Sequence, residues 1–219
     1  MKTIGKLHTH DHAPATEGRT IRWAHLYDAL VGVMTLGKGQ AIRETTAAMA
    51  QIKTGDKVLD VGCGTGDLTF AAKAHAGVTG EVHGTDASPE MIEVAKGKAS
   101  QSGTQINFQV DLIEKMSFPD HYFDVVLSSL MMHHLPSNIK RQGLAEIRRV
   151  LKPGGRLVIV DFKRPTTFSE HILTAWLMHG GMQSGVQDLP TLMKEVGFSK
   201  IETGDVKFMM LGFARGEAA

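Results

Sequence analysis

The segment Val58-Leu59-Asp60-Val61-Gly62-Cys63-Gly64-Thr65-Gly66 ends an apolar run in an acid, Asp60, and follows it with three alternate glycines. Glycines at such a point let the chain turn sharply from strand into helix and let its backbone approach a ligand closely. The helix that opens there adds unpaired N–H groups and the positive end of its dipole. A dinucleotide loop needs a third glycine at position 67, where this chain has Asp67, a carboxylate that would face a pyrophosphate. Asp60 instead suits a ligand carrying a cationic ammonium. The plainer alternative is that the three glycines only make a tight turn.

Two further acids follow the same pattern. Asp86 closes the next apolar run, roughly 20 residues past Gly66, where a carboxylate can accept both hydroxyls of a ribose. It can equally cap the helix opening at Ser88-Pro89. Asp111 closes the run Ile106 to Val110 and can accept from an exocyclic adenine amine, with Leu112 as an apolar wall. Met91, one turn into the helix after Asp86, packs either on that ring or in the core. A ligand with an ammonium, a ribose and an adenine fits all three acids, and S-adenosylmethionine has these groups.

Methyl transfer from a sulfonium is an in-line displacement that needs orientation and a dry pocket, and phenol or carbon acceptors also want a base. His133 and His134, just past Ser128-Ser129, are the candidates for catalysis. The same His-His-Leu turn can merely close the strand. His25 and Tyr27 lie on an N-terminal amphipathic helix that can close over the methionine end or simply pack on the sheet. Trp176, Met178 and Met182, with Met131 and Met132, line an apolar acceptor pocket or form ordinary core. His8-Thr9-His10-Asp11-His12 is one residue short of a dinuclear zinc motif and precedes every element that could hold it, so no metal is expected.

These residues need a scaffold that brings successive strand ends together. Apolar runs at Lys57–Val61, Glu81–Thr85, Gln105–Val110, Phe123–Leu130 and Arg156–Phe162 alternate with helical stretches at 67–76, 88–100 and 137–151. Continuous apolar runs rather than clean alternations predict parallel strands covered on both faces, an α/β architecture. Helices are also expected over 21–36, 40–52, 167–180 and 188–196, and two last strands over Phe198–Asp205 and Val206–Ala214. No Pro/Gly/Ser linker interrupts the 219 residues, so one domain is expected: an arm and lid helix over 1–39, a cofactor core over 40–165, a helical insert over 166–187, and a helix with a strand pair over 188–219.

Composition limits the partners. Lys plus Arg number 24 and Asp plus Glu 23, a net charge of +1, so no broad field draws the chain to nucleic acid. The one cysteine, Cys63, excludes an internal disulfide. No apolar run approaches the ~18 residues of a membrane helix, and the first residues carry no apolar leader core, so a cytoplasmic protein is expected. The apolar insert lacks the Lys/Arg-rich face usual for surface-bound helices, yet peripheral membrane contact fits its Met-rich character.

Taken jointly, Val58 to Thr69, Gly84-Thr85-Asp86-Ala87-Ser88, Phe123-Asp124-Val125-Val126 and Arg149-Val150-Leu151-Lys152-Pro153-Gly154-Gly155 resemble the motifs of class I S-adenosylmethionine-dependent methyltransferases. The resemblance covers roughly residues 40–165. It implies a Rossmann-like, doubly wound seven-stranded sheet, mostly parallel with the last strand antiparallel, under N-terminal helices acting as a lid. It implies S-adenosylmethionine as cofactor and S-adenosylhomocysteine as product. Asp60, Gly62, Gly64 and Gly66 would then hold the methionine end, with Tyr27 closing over it; Asp86 and Ala87 would meet the ribose, and Met91, Asp111 and Leu112 the adenine. Ser128 would lie beside the sulfonium.

Within that class, Tyr27-Asp28, Met34-Thr35-Leu36-Gly37, Phe118-Pro119-Asp120 and Arg149 to Pro165 look like the ubiquinone/menaquinone C-methyltransferases. Departures fall where an acceptor would bind. Val31 replaces that family's Asn, Met132-His133-His134 replaces a Leu-Arg-Asn segment, and Thr167 to Gln187 is shorter and Met-rich rather than Tyr-rich. The resemblance therefore implies a small, apolar or lipid-like acceptor. A phospholipid amine, a thiol or another metabolite remains the alternative, and an NAD-dependent oxidoreductase the distant one.

Overall fold

The computed structural model describes residues 32, 37–165, 184–208 and 210–219. The elements in chain order are α1 (Gly39–Met49), β1 (Lys57–Val61), α2 (Asp67–Ala76), β2 (Glu81–Asp86), α3 (Pro89–Ser102), β3 (Asn107–Val110) and β4 (Phe123–Ser129). After a short 3-10 turn at Met132–His134 come α4 (Ser137–Val150) and β5 (Leu151–Phe162). A second such turn at Val186–Asp188 leads into α5 (Leu189–Glu195), β6 (Phe198–Asp205) and β7 (Leu211–Ala218).

The strands form one seven-stranded sheet in the order β3-β2-β1-β4-β5-β7-β6. The pairs from β3 through β5 are parallel, and β7 runs antiparallel to both β5 and β6. This is the expected architecture. The chain steps outward from β1 to β3 and then returns to place β4 on the other side of β1. Ligands of open α/β sheets bind at such a reversal, outside the carboxyl ends of the strands.

The two faces of the sheet are built by the two-residue period of its strands. Leu59, Val61, Val126, Leu157 and Ile159 face one way and bury against Leu144 and Ile147 of α4 and Met193 of α5. Val58, Val82, Val125, Leu127 and Val158 face the other and bury against Ala47, Ala71, Ala72 and Ala76 of α1 and α2. The alanines let these helices lie close to the sheet. α1 is therefore a layer of the core; the helix expected before it, and with it the proposed lid, lies outside the described residues.

Helix ends follow local chemistry. Ser88 caps α3 by accepting from the Met91 N–H at 3.3 Å, Pro89 fills the first turn, and Gly103 at φ +66° ends the helix. Two expectations about strands are corrected. β5 begins at Leu151 rather than Arg156, because Leu151 already pairs with Phe123 before the chain bulges out through Lys152-Pro153-Gly154-Gly155 and rejoins at Arg156. The last strand runs Leu211–Ala218, not Val206–Ala214. Val206 and Phe208 owe their apolar character to packing with Ile42, Val160 and Leu211 inside the connecting turn.

Candidate active site

Asp60 sits near the end of β1 and is 1% exposed. Thr69 of α2 donates its hydroxyl to the carboxylate at 2.7 Å. Burial pushes the Asp60 carboxyl up to about 7, against the opposing pull of Thr69 and the Arg43 guanidinium; Asp86 and Asp67 push the same way as burial. Asp60 is thus a carboxylate short of positive charge at neutral pH.

Asp86 ends β2 and ties the glycine loop to the start of α3. Its Oδ2 accepts from the Gly64 N–H and its Oδ1 from the Ser88 N–H, both at 2.9 Å. Burial raises its pKa against the N–H groups of Ser88, Gly64 and Ala87. Each oxygen keeps a further lone pair, so two hydroxyls of a ribose can still be accepted. The Thr85 carbonyl accepts from both Gly62 and Cys63 N–H at 2.8 and 2.9 Å, which locks the loop against β2.

The glycines have reasons internal to the chain as well as a possible ligand. Gly62 has φ +70°, and a Cβ there would lie 2.2 Å from Cγ of Met131 in the loop after β4. Gly66 has φ +90°, and a Cβ there would meet the Phe108 ring at 2.8 Å. The ends of β1 and β4 therefore approach each other across Gly62, which closes one wall of the site. Asp67 is held by Lys98 at 2.8 Å and by Arg43 at 3.3 Å, at the mouth of α2. A carboxylate at that helix start is unfavourable for a diphosphate, as the sequence implied.

Asp111 is more committed to its own loop than the sequence suggested. Its Oδ2 accepts from Ser117 N–H at 2.9 Å, Ser117 Oγ at 2.7 Å and Gln109 Nε2 at 3.3 Å. Its Oδ1 accepts from the Leu112 N–H at 3.0 Å and keeps capacity for one more donor. The half-buried Leu112 and the buried Met91 flank this end of the sheet. The loop itself is braced by Arg149, which donates to Glu146, Asp120 and the carbonyls of Met116 and Phe118 over 2.7–3.0 Å. Lys cannot reproduce that fork. Arg149→Lys is expected to cost about 1–2 kcal/mol, read as a lowered midpoint in thermal or urea unfolding.

The other side of the site is made by β4 and β5. Ser128 is fully buried, and its hydroxyl has no hydrogen-bond partner among the described residues. A bound polar group would satisfy it, which fits the region beside a cofactor's reacting end. Leu130, at φ +55°, then turns the chain into Met132–His134. His133 Nδ1 lies 2.7 Å from Asp161 Oδ1, and its backbone N–H donates to Asp161 Oδ2 at 3.0 Å. The His133 ring meets Phe162 edge-on at 5.0 Å, and the His134 ring lies against it at 3.9 Å.

The structure therefore gathers Asp60, Gly62, Gly64, Gly66, Asp86, Ala87, Asp111 and Ser128 along the carboxyl ends of β1 to β4, with His133 and His134 following β4. Tyr27, His25, Trp176, Met178, Met182 and the segment 8–12 lie outside the described residues. Among the described residues no group of three or more His, Cys, Asp or Glu is arranged to hold a metal. Sequence reasoning missed Arg43, whose charge bears on Asp60 from α1; one arginine in an amphipathic helix gives no motif. It also missed Asp161, because nothing in a strand sequence shows which neighbouring loop an acid meets.

Residues 58–155 match a family model described as a methyltransferase domain. The chain is 39% identical over 138 residues to the ubiquinone/menaquinone biosynthesis C-methyltransferase UbiE of Burkholderia mallei and to that of Burkholderia thailandensis. The match takes in 63% of this chain and 56% of either relative, so the chain spans little more than half the length of these relatives. A SAM dependent methyltransferase from Aquifex aeolicus has a similar fold, with a TM-score of 0.68 at 20% identity, over 88% of this chain and 98% of that one. Phosphoethanolamine N-methyltransferase 2 of Haemonchus contortus, solved with S-adenosyl-L-methionine, gives a TM-score of 0.70 at 18% identity over 89% of this chain and 56% of that one.

Proposed function

We propose that this chain, which carries a class I S-adenosylmethionine-dependent methyltransferase domain, moves a methyl group to a small, apolar, quinone-like acceptor. The observation that carries the reading is the placement of Asp60, Asp86 and Asp111 at the ends of the adjacent strands β1, β2 and β3, beside the point where strand order reverses. The similarity to the C-methyltransferases of quinone biosynthesis supports the acceptor class.

When bound, S-adenosylmethionine supplies a methyl on a sulfonium, which leaves as a neutral thioether. The protein's share is binding, orientation and proton handling. Asp60 would hold the ammonium, and Arg43 provides a cation for the neighbouring carboxylate Asp67. Asp86, with Ala87 beside it, would accept the ribose hydroxyls. Asp111 Oδ1 would accept from the adenine amine, with Leu112 and Met91 as apolar neighbours of the ring. Gly62, Gly64 and Gly66 let the loop run close to the methionine end, and Ser128 offers its hydroxyl near the reacting centre. His133 takes the acceptor's proton on Nε2 as the new bond to the methyl carbon forms, with His134 packed against its ring. Among the described residues no helix is long and apolar enough to cross a membrane; the acceptor reaches the site from solution or by peripheral contact with a bilayer.

The test is transfer of labelled methyl from S-adenosylmethionine into a cell extract separated into quinone-rich organic, phospholipid, aqueous and protein fractions. Enzyme-dependent label in the quinone-rich fraction is expected. Label in the phospholipid fraction would make the acceptor an amine headgroup, and label only in the aqueous fraction would sink the apolar acceptor.

A further inference from the structure

We propose that Asp161 is a positioning residue that holds the His133 ring with its proton on Nδ1 and its lone pair on Nε2. The inference rests on the reading of His133 as the base. Asp161, near the end of β5, is 1% exposed, and the His133 side chain is 6% exposed. A buried carboxylate is costly unless donors surround it. Three do so here: His133 Nδ1 at 2.7 Å, His133 N–H at 3.0 Å and Phe162 N–H at 2.7 Å.

Two of those three come from one residue on the neighbouring loop. Here one oxygen fixes the histidine's backbone and the other its ring, so position and orientation are set together. A carboxylate accepts and does not donate, so its contact with Nδ1 selects the tautomer that leaves Nε2 as base. Phe162 adds an edge-on contact that restricts ring rotation.

The charged groups around the pair are consistent with an ionised Asp161. Burial raises its pKa, but the hydrogen bonds from His133 and Phe162, with the His133 charge once that ring has taken a proton, outweigh burial and leave it below the usual carboxylate value. From α4, the buried Lys140 faces it; burial lowers that lysine's pKa, while the charges of Asp161 and Asp188 raise it. His134 packs on the His133 ring, and Asp188, whose charge bears on Lys140, is paired with Arg164. As the acceptor forms its bond to carbon, its proton passes to Nε2, and the resulting imidazolium is stabilised by the Asp161 carboxylate, which keeps its charge.

The test is Asp161→Asn. An amide at this place can donate to Nδ1, which reverses the ring's tautomer. Nitrogen NMR of labelled histidine in the intact protein at alkaline pH should show Nδ1–H in the unaltered protein and Nε2–H in Asp161→Asn. Methyl-transfer kcat should fall by about 10²- to 10⁴-fold with KM for S-adenosylmethionine within about twofold. His133→Gln should fall as far, and the double variant no further. Retention of Nδ1–H in Asp161→Asn, or an unchanged kcat, would overturn the assignment. If Asp161→Asn fails to fold, the spectrum of the unaltered protein decides: Nδ1–H supports the assignment and Nε2–H overturns it. Should the unaltered protein transfer no methyl at all, the functional reading fails while the tautomer still decides the role of Asp161.

Discussion

Asp86→Ala is expected to weaken S-adenosylhomocysteine binding by about 10²- to 10⁴-fold, measured by calorimetric titration of the folded variant. Two ribose hydroxyls donating to one carboxylate are charge-assisted hydrogen bonds, each worth about 1.5–3 kcal/mol. The carboxylate also organises the loop, because Gly64 N–H and Ser88 N–H both donate to it. Loss of Asp86 therefore removes the ligand contact and the brace together. Asp86→Asn separates the two: an amide oxygen can still accept from one N–H but offers the ribose a poorer partner. Its loss should be intermediate, with thermal stability closer to that of the unaltered protein.

Asp60 makes cofactor binding depend on pH. Its carboxyl is raised to about 7 by burial, whereas an unfolded aspartate titrates near ~3.9. For this group the folded state binds the proton more tightly. Its contribution to stability is fully present below about 4 and is lost as pH rises through about 7. Binding of a cationic ammonium has the opposite preference, since it needs the carboxylate. Affinity for S-adenosylhomocysteine should therefore rise by up to about tenfold per pH unit from 5.5 toward 7 and level off above it, with a proton released on binding at the acid end. Asp60→Asn should flatten that profile and weaken binding by at least about tenfold at pH 8. The same variant should raise the melting temperature of the ligand-free protein at pH 8, because a buried charge is gone. A pH-independent affinity in the unaltered protein would contradict this account of Asp60.

The fold was legible wherever one signal dominated. Val58 to Val61 is an apolar run broken only by Asp60, between Gly55 and Gly62, and Ser88-Pro89 is an unambiguous helix start; both elements form where the residues imply. Arg156 and Val206 misled for physical reasons. Leu151 pairs before a bulge that local sequence does not reveal, and Val206 and Phe208 are half-buried against Ile42, Val160 and Leu211 from the turn they lie in. The common placement of Asp60, Asp86 and Asp111 was legible because each lies at or just past the end of a strand. The partners Arg43 of Asp67 and Asp161 of His133 were not legible, because each pair joins elements far apart in the chain. Asp111 lies between these cases: its place at a strand end was readable, but its three bonds to Ser117 and Gln109 belong to a loop whose path only the folded chain shows.

The most direct measurement of the central claim is calorimetric titration of the intact chain with S-adenosylhomocysteine and, separately, with NAD at pH 8. The account predicts one S-adenosylhomocysteine bound per chain, abolished by Asp86→Ala, and no heat from NAD. Binding of NAD without S-adenosylhomocysteine would contradict it, and would recast the glycine loop as a dinucleotide site despite Asp67.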